Sequence, residues 1–308
     1  MSEFDVLTVG SAVVDRGHAV TNLPEPDGGA FVRESSTAVG GVAANVAAAA
    51  ARLGREAGVV SRVGDDADGE RVVADLRERG VDATRVRRGD ERTSYTLIFR
   101  DPDGRRMIVA GGESVPNLRL DAADLDYLRR GDAAFTSAYA PDPVVSDLVA
   151  AAADDRLPPL AFDLAGPLSE LEGRGANRET IDAAATACDL FVANEVSARS
   201  YLDCGPREAV EALRERGVRR AAVTRGADGA LLLDGDEVIP VPAVDAPVVD
   251  TTGAGDAFTA GLIHAWLLDG RPTAEAGRFA AAAAAKNCTA EGARGGLPTE
   301  GEASELLD

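Results

Sequence analysis

The sequence predicts an α/β protein with a doubly wound, mostly parallel sheet flanked by helices and a small β-sheet lid beside it. Three observations carry this. Short apolar runs alternate with stretches of helical periodicity, the pattern of strands connected through helices. Two segments break that rhythm and read as β-structure of another kind. With 308 residues, 45% of them hydrophobic, the chain can bury the core of one large domain or two modest ones.

The elements follow in order. Phe4–Gly10 (FDVLTVG) is a short apolar run closed by glycine and reads as a buried strand. Val42–Leu53, rich in alanine, reads as a helix. Ala57–Val63 is strand-like, and Asp68–Arg79 has helical periodicity ended by Gly80. Further strand-like runs lie at Ala133–Thr136, Leu160–Asp163, Leu190–Ala193 and Ala221–Thr224, with helical stretches between them. The first break, Val13–Thr37, holds the turn-rich Leu23–Gly29 and no helical pattern. The second, Ser94–Ala110, has two alternating runs around Asp101-Pro102-Asp103-Gly104, a hairpin signal. A further hairpin around Asp234-Gly235-Asp236 is assigned to the main sheet. The expected division is a main domain of 1–12, 38–92 and 113–308, and a lid of 13–37 and 93–112.

Composition narrows the chemistry. The net charge is −20, which argues against nucleic acid as a partner, because phosphate backbones are held by clustered Lys and Arg. Lys286 is the only lysine, so a nucleotide would have to be held by backbone N–H groups and a few arginines. An acidic, lysine-poor surface suits concentrated salt, where self-repulsion is screened; a G+C-rich genome would also favour Arg over Lys. Cys188, Cys204 and Cys288 are far apart, which speaks against a zinc site or disulfide framework. With His18 and His264 as the only histidines, Ser-His triads and most His-based metal sites are hard to assemble. No apolar run is long enough to span a bilayer, and the acidic start Met1–Asp5 shows no signal peptide, so a cytoplasmic protein without a membrane partner is expected.

The strongest motif is Asp250-Thr251-Thr252-Gly253-Ala254-Gly255-Asp256-Ala257-Phe258, after the apolar run Ala246–Val249 and before a long amphipathic helix expected over Ala257–Leu268. Small residues opening a helix let backbone N–H groups converge, and the helix dipole adds partial positive charge there. Gly253, Ala254 and Gly255 would thus hold a transferring phosphoryl group without lysine. Asp256 beside them can accept a hydroxyl proton as that hydroxyl attacks the γ-phosphate. Alternatively, Asp256 is only a helix N-cap and the glycines only a turn.

This motif resembles the C-terminal signature of the ribokinase-like (PfkB) carbohydrate kinase family over Asp250–Gly261. Gly40-Gly41-Val42-Ala43-Ala44-Asn45-Val46-Ala47, followed by Arg52-Leu53-Gly54, resembles its N-terminal signature, and the resemblance runs from Val6 to about Pro298. It implies an ATP- and magnesium-dependent kinase of a small sugar or related polyol, with a β lid that often forms a homodimer contact. It implies Asp256 as catalytic base, Gly253–Gly255 as anion hole, and Asp15, Gly40, Gly41 and Asn45 as substrate-binding residues. For nucleotide it implies Thr224, Gly226 and Gly229 in the loop after the Ala221–Thr224 strand, and Asn194 opening the family's N-x-x-E motif near magnesium. The fourth position is Ser197, not Glu, so the usual metal contact is in doubt, with Glu195 as a substitute. Asp250 and Thr252, with the loop Glu291–Gly296, match positions that bind a monovalent cation, expected to be potassium.

The acceptor is left open. Ribokinases proper carry a Glu near the position of Tyr139, and its absence here weakens ribose; a hexose, sugar acid, sugar phosphate or nucleoside remain. A dinucleotide-binding dehydrogenase is disfavoured, because Gly10-Ser11-Ala12-Val13-Val14-Asp15 lacks GxGxxG. A catalytically silent sugar-binding protein is disfavoured by the intact Gly253–Asp256 run.

Overall fold

A strand covered on both faces needs apolar residues at consecutive positions, each facing its own layer. The first strand does this: Leu7 and Val9 join one core cluster and Val6 the opposite one. The same alternation recurs at Phe162 against Ala161, Phe191 and Ala193 against Leu190 and Val192, and Ala221 and Val223 against Ala222. The computed structural model describes residues 2–307.

The strands are β1 (Phe4–Val9), β2 (Val13–Val20), β3 (Val32–Gly40), β4 (Ala57–Gly64), β5 (Val81–Gly89), β6 (Tyr95–Arg100), β7 (Arg106–Gly111), β8 (Gly131–Ser137), β9 (Leu160–Asp163), β10 (Leu190–Asn194), β11 (Arg220–Thr224), β12 (Ala230–Asp234) and β13 (Glu237–Val241). Nine of them form the main sheet in the order β13-β12-β11-β10-β9-β8-β1-β4-β5. All its pairs are parallel except the β11–β12 and β12–β13 pairs at one edge, the second of which is the hairpin expected around Gly235. From β1 the chain winds first to β4 and β5 and later to β8 and beyond, so the strand order reverses between β1 and β8. Crevices at such a reversal, beyond the carboxyl ends of the strands, are where ligands bind in open α/β sheets.

β3, β2, β6 and β7 form a separate four-stranded sheet. The turn tetrapeptide joins β6 to β7 as the alternation predicts. β5 was not among the expected strands; its edge position leaves much of it part-exposed, so its apolar signal is diluted.

Two local readings change. The helix expected at Ala257–Leu268 starts at Ala254, ends its regular part at Leu262 and continues as a π-helical stretch over Ile263–Leu268. It is not amphipathic: Ala257 to Trp266 are all buried, because the helix is sandwiched between the Val42–Arg52 and Thr273–Asn287 helices. Gly261 makes the second contact possible, since a Cβ there would lie 2.8 Å from the Ala280 Cα. The run Ala246–Val249 joins no sheet, and Val248 and Val249 are exposed.

Candidate active site

Asp256 lies in the first turn of the Ala254–Leu262 helix, and Gly253 is the N-cap. The capping alternative for Asp256 therefore fails, since no side chain makes a cap hydrogen bond at this helix. Gly253 has φ of 75°, and a Cβ on it would stand 2.2 Å from the Ala293 carbonyl oxygen, so glycine is required twice over. The Ala254 N–H already donates to the Thr251 carbonyl at 3.2 Å, leaving Gly253 and Gly255 as the more available donors of the turn. A Cβ on Gly255 would meet nothing within 4 Å, so this side of the helix terminus faces open space.

The fold brings Asn45 from the first turn of the Val42–Arg52 helix to Asp256: Asn45 Nδ2 donates to Asp256 Oδ2 at 2.7 Å. Asp15, on β2, accepts from Thr96 Oγ1 on the neighbouring β6. Gly40 pairs across from this strand, and a Cβ there would lie 1.9 Å from Asp15 Oδ2. Gly41 has φ of 97° and serves as the N-cap of the Asn45 helix. Asp15, Gly40, Gly41, Asn45 and Asp256 thus form one cluster.

Burial pushes the Asp256 carboxyl up to about 6, against the Asn45 hydrogen bond and the Arg294 charge, with Asp15 adding to the rise. Burial also raises Asp15, opposed by the Thr96 hydrogen bond and by Arg294. Asp163, at the end of β9, is lifted to about 7 by burial, opposed by the Ala165 N–H and reinforced by the Asp256 charge. Carboxylates held near neutrality in a cleft mark candidate proton acceptors.

Sequence reasoning missed Arg294 and Asp163. Arg294 was read only as part of a glycine-rich loop, yet it is 5% exposed and bonded to Asn45. Asp163 carried a usable signal: it ends a parallel strand, on the side where ligands bind.

The nucleotide candidates lie further along the same sheet edge. Thr224 ends β11, and Gly226 and Gly229 bound a single 3₁₀ turn with φ of 56° and 78°. A Cβ at Gly229 would lie 2.1 Å from the Val241 carbonyl oxygen, whereas Gly226 faces open space. Asn194 caps the Glu195–Leu202 helix, accepting from the Ser197 N–H at 2.9 Å, while Nδ2 donates to the Ala165 carbonyl at 2.7 Å. Ser197 answers from its side chain to the Asn194 N–H, completing a capping box without glutamate. Glu195 pairs with Arg199 at 2.7 Å. This turn therefore offers magnesium no unpaired carboxylate.

Asp250 suits a cation better. Burial works against its ionised form, but Thr252 and Gly292 N–H groups, Thr252 Oγ1 and Arg100 outweigh it and hold the carboxyl down at about 2. The Thr252 and Ala293 carbonyls both accept from Asn287 Nδ2, at 3.3 and 3.0 Å, so two backbone oxygens converge on that amide, while Thr252 and Gly292 donate to Asp250. Such an oxygen set fits a monovalent cation, and Arg100 of β6 already shares the carboxylate at 3.2 Å. Elsewhere, His264 is buried among Arg55, Arg271, Asp269 and Glu300, where Arg55 Nε donates to its Nδ1.

A parallel α/β sheet with a small second sheet, and a carboxylate at a glycine-rich helix start, is the layout of a phosphotransferase acting on an alcohol group. Comparison with known proteins agrees. The pfkB family carbohydrate kinase profile matches residues 3–300. An ATP-dependent ribose-1-phosphate kinase from Halopiger xanaduensis is 33% identical, covering 98% of each chain. A nucleoside kinase from Methanothermobacter thermautotrophicus is 27% identical over 97% of this chain and 94% of that one. The structure of Arabidopsis thaliana ribokinase with ribose and ATP superposes with a TM-score of 0.86 at 26% identity, covering 100% and 99%. The chain belongs to the pfkB family of carbohydrate kinases. It is an ATP-dependent sugar kinase, with the ribokinase-like fold. Among the described residues, no helix is long and apolar enough to cross a membrane.

Proposed function

We propose that the chain transfers the γ-phosphate of ATP to a hydroxyl of a small sugar or sugar acid, with Asp256 as the base. The observation that carries this is Asp256 itself: a carboxylate in the first turn of a helix whose glycine-rich start presents backbone donors. The acceptor oxygen attacks the γ-phosphorus, the bond to the ADP oxygen breaks, and the hydroxyl proton passes to Asp256. The Gly253–Gly255 turn stabilises charge on the transferring group through N–H donors and the helix dipole. Asp15 and Asn45 hold the acceptor's hydroxyls beside Gly40, where a Cβ would collide with the Asp15 carboxylate, and Gly41. Thr224, Gly226 and Gly229 line the nucleotide, with Asn194 and Glu195 nearby. Magnesium would neutralise phosphate charge, and would be held mainly through the nucleotide, since the Asn194–Ser197 turn supplies no unpaired carboxylate. Potassium would be held by Asp250 and by the carbonyls of Thr252 and Ala293, stiffening the turn that bears the anion donors.

The small sheet of β2, β3, β6 and β7 acts as a lid over the acceptor, with the lid assigned to 13–37 and 93–112 and the remainder to the catalytic domain. Its exposed Phe31, Val32, Met107, Ile108 and Val109 suit a homodimer contact. The acidic surface suits a cytoplasm of high salt. A phosphorylated sugar is the second reading of the acceptor, favoured by the ribose-1-phosphate kinase relative.

ADP release in a coupled assay with hexoses, pentoses, sugar acids, sugar phosphates and nucleosides tests the assignment. A clear preference for a sugar or sugar acid supports it; preference for a nucleoside overturns the sugar reading, and no ADP release with any acceptor overturns the kinase reading.

A further inference from the structure

We infer that Arg294 is a positioning residue for phosphoryl transfer: it fixes the Asn45 amide so that its NH₂ faces Asp256, leaving Asp256 Oδ1 to receive the acceptor's proton. This rests on Asp256 being the base.

Arg294 sits in the loop between the Thr273–Asn287 and Glu300–Glu305 helices, yet only 5% of it is exposed. Its guanidinium makes three contacts. Nε donates to Asn45 Oδ1 at 2.7 Å, Nη2 donates to the Gly40 carbonyl at 3.3 Å, and Nη1 pairs with Asp75 on the Ala67–Glu78 helix. Guanidinium can only donate, so the Asn45 atom that meets it must be the carbonyl oxygen. The NH₂ then points the other way, to Asp256 Oδ2, which can only accept when ionised. Turning the amide over would set NH₂ against guanidinium and oxygen against carboxylate, two repulsions in place of two hydrogen bonds. Arg294 thus reaches Asp256 through Asn45, and through Gly40 it also braces the backbone beside Asp15.

It is also the charge that keeps the pair of carboxylates usable. The groups acting on Asp256 are Asn45 from the Val42–Arg52 helix, Asp15 from β2, Asp163 from the end of β9, Tyr139 beyond β8, and Arg294. Of these only Arg294 is a cation. Burial and Asp15 push Asp256 toward its protonated form, and Arg294 opposes them.

The experiment is kcat against pH from 5 to 9 with the best acceptor, for wild type, Arg294→Gln, Arg294→Lys and Asp75→Asn, with circular dichroism as a fold control. In Arg294→Gln the acidic limb should rise by about one pH unit, the size of effect a nearby opposite charge has on a carboxylate. Below the limb, kcat should therefore fall about tenfold while KM for ATP holds. Arg294→Lys should keep the limb near the wild-type position but lower kcat, because one ammonium cannot serve the Asn45 and Gly40 oxygens as the fork does. Asp75→Asn acts from outside the site: removing its negative charge should move the limb down. A folded Arg294→Gln enzyme with an unmoved limb overturns the inference alone. If that variant does not fold, an Asp75→Asn limb that stays or rises overturns it. A wild-type protein that transfers phosphate to no acceptor overturns the kinase reading and this inference with it.

Discussion

Asp256→Asn should separate catalysis from stability in opposite directions. The amide is close in size, and its carbonyl can still accept from Asn45 Nδ2 as Asp256 Oδ2 does at 2.7 Å. It cannot take a proton from an attacking hydroxyl. General-base assistance is worth about 10²–10⁴ in rate, or about 3–5 kcal/mol of barrier, and kcat should fall by that factor. Stability should change the other way. Burial holds the Asp256 carboxyl at about 6 in the fold against an ordinary 3.8, so keeping it ionised at neutral pH costs about 3 kcal/mol. The sign follows from linkage: a carboxyl raised by folding costs nothing below its unfolded value and costs progressively more as pH climbs toward its folded value. The variant should therefore melt with wild type near pH 3.5 and outlast it by several degrees above pH 6.5. Single-turnover transfer, nucleotide titration and thermal melts across that range make the assay. Near-normal transfer would refute the base assignment, and equal melting curves at pH 7 would refute the buried-charge argument.

Four further outcomes follow from the same geometry. Asp15→Asn should raise KM for the sugar about 10- to 100-fold with little change in KM for ATP, since hydrogen bonds to a charged partner are worth about 1.5–3 kcal/mol; equal effects on both substrates would contradict its place in the acceptor cluster. Gly253→Ala should destabilise the fold by at least about 1–2 kcal/mol from its left-handed backbone alone, with the 2.2 Å approach to Ala293 adding to it, as urea melts would show. Potassium should raise kcat over sodium and tetramethylammonium at equal ionic strength, and more so in Arg100→Gln, where the guanidinium no longer shares Asp250; equal rates in all three salts would remove the cation site. Melting temperature should climb from low to molar salt, because a net charge of −20 is screened over about 10 Å at 0.1 M but about 3 Å at 1 M; a flat profile would show that the surface is not adapted to salt.

The sequence by itself determined the fold class and the family. A continuous apolar run is a local property of each strand, so runs such as Leu160–Asp163 could be read without knowing their neighbours. The motif Gly253–Asp256 was equally legible, because a glycine-rich turn and the helix it opens are contiguous in the chain. Edge strand β5 and the true extent of the helix at Ala254 were less so, since exposure at a sheet edge and burial between two helices depend on what lies alongside. The site's electrostatics were decided only by tertiary structure. Asn45 and Asp256 are 211 residues apart, and nothing local ties their side chains together. In sequence Arg294 is only one residue of the glycine-rich loop Glu291–Gly296. Packing against Gly40, Asn45 and Asp75 turns it into a buried cation, with its own pKa drawn down to about 10 by burial against the pull of Asp75. Whether a charge is solvated or buried depends on which distant surfaces close over it, and that is fixed by the winding of the sheet rather than by the residues beside it in the chain.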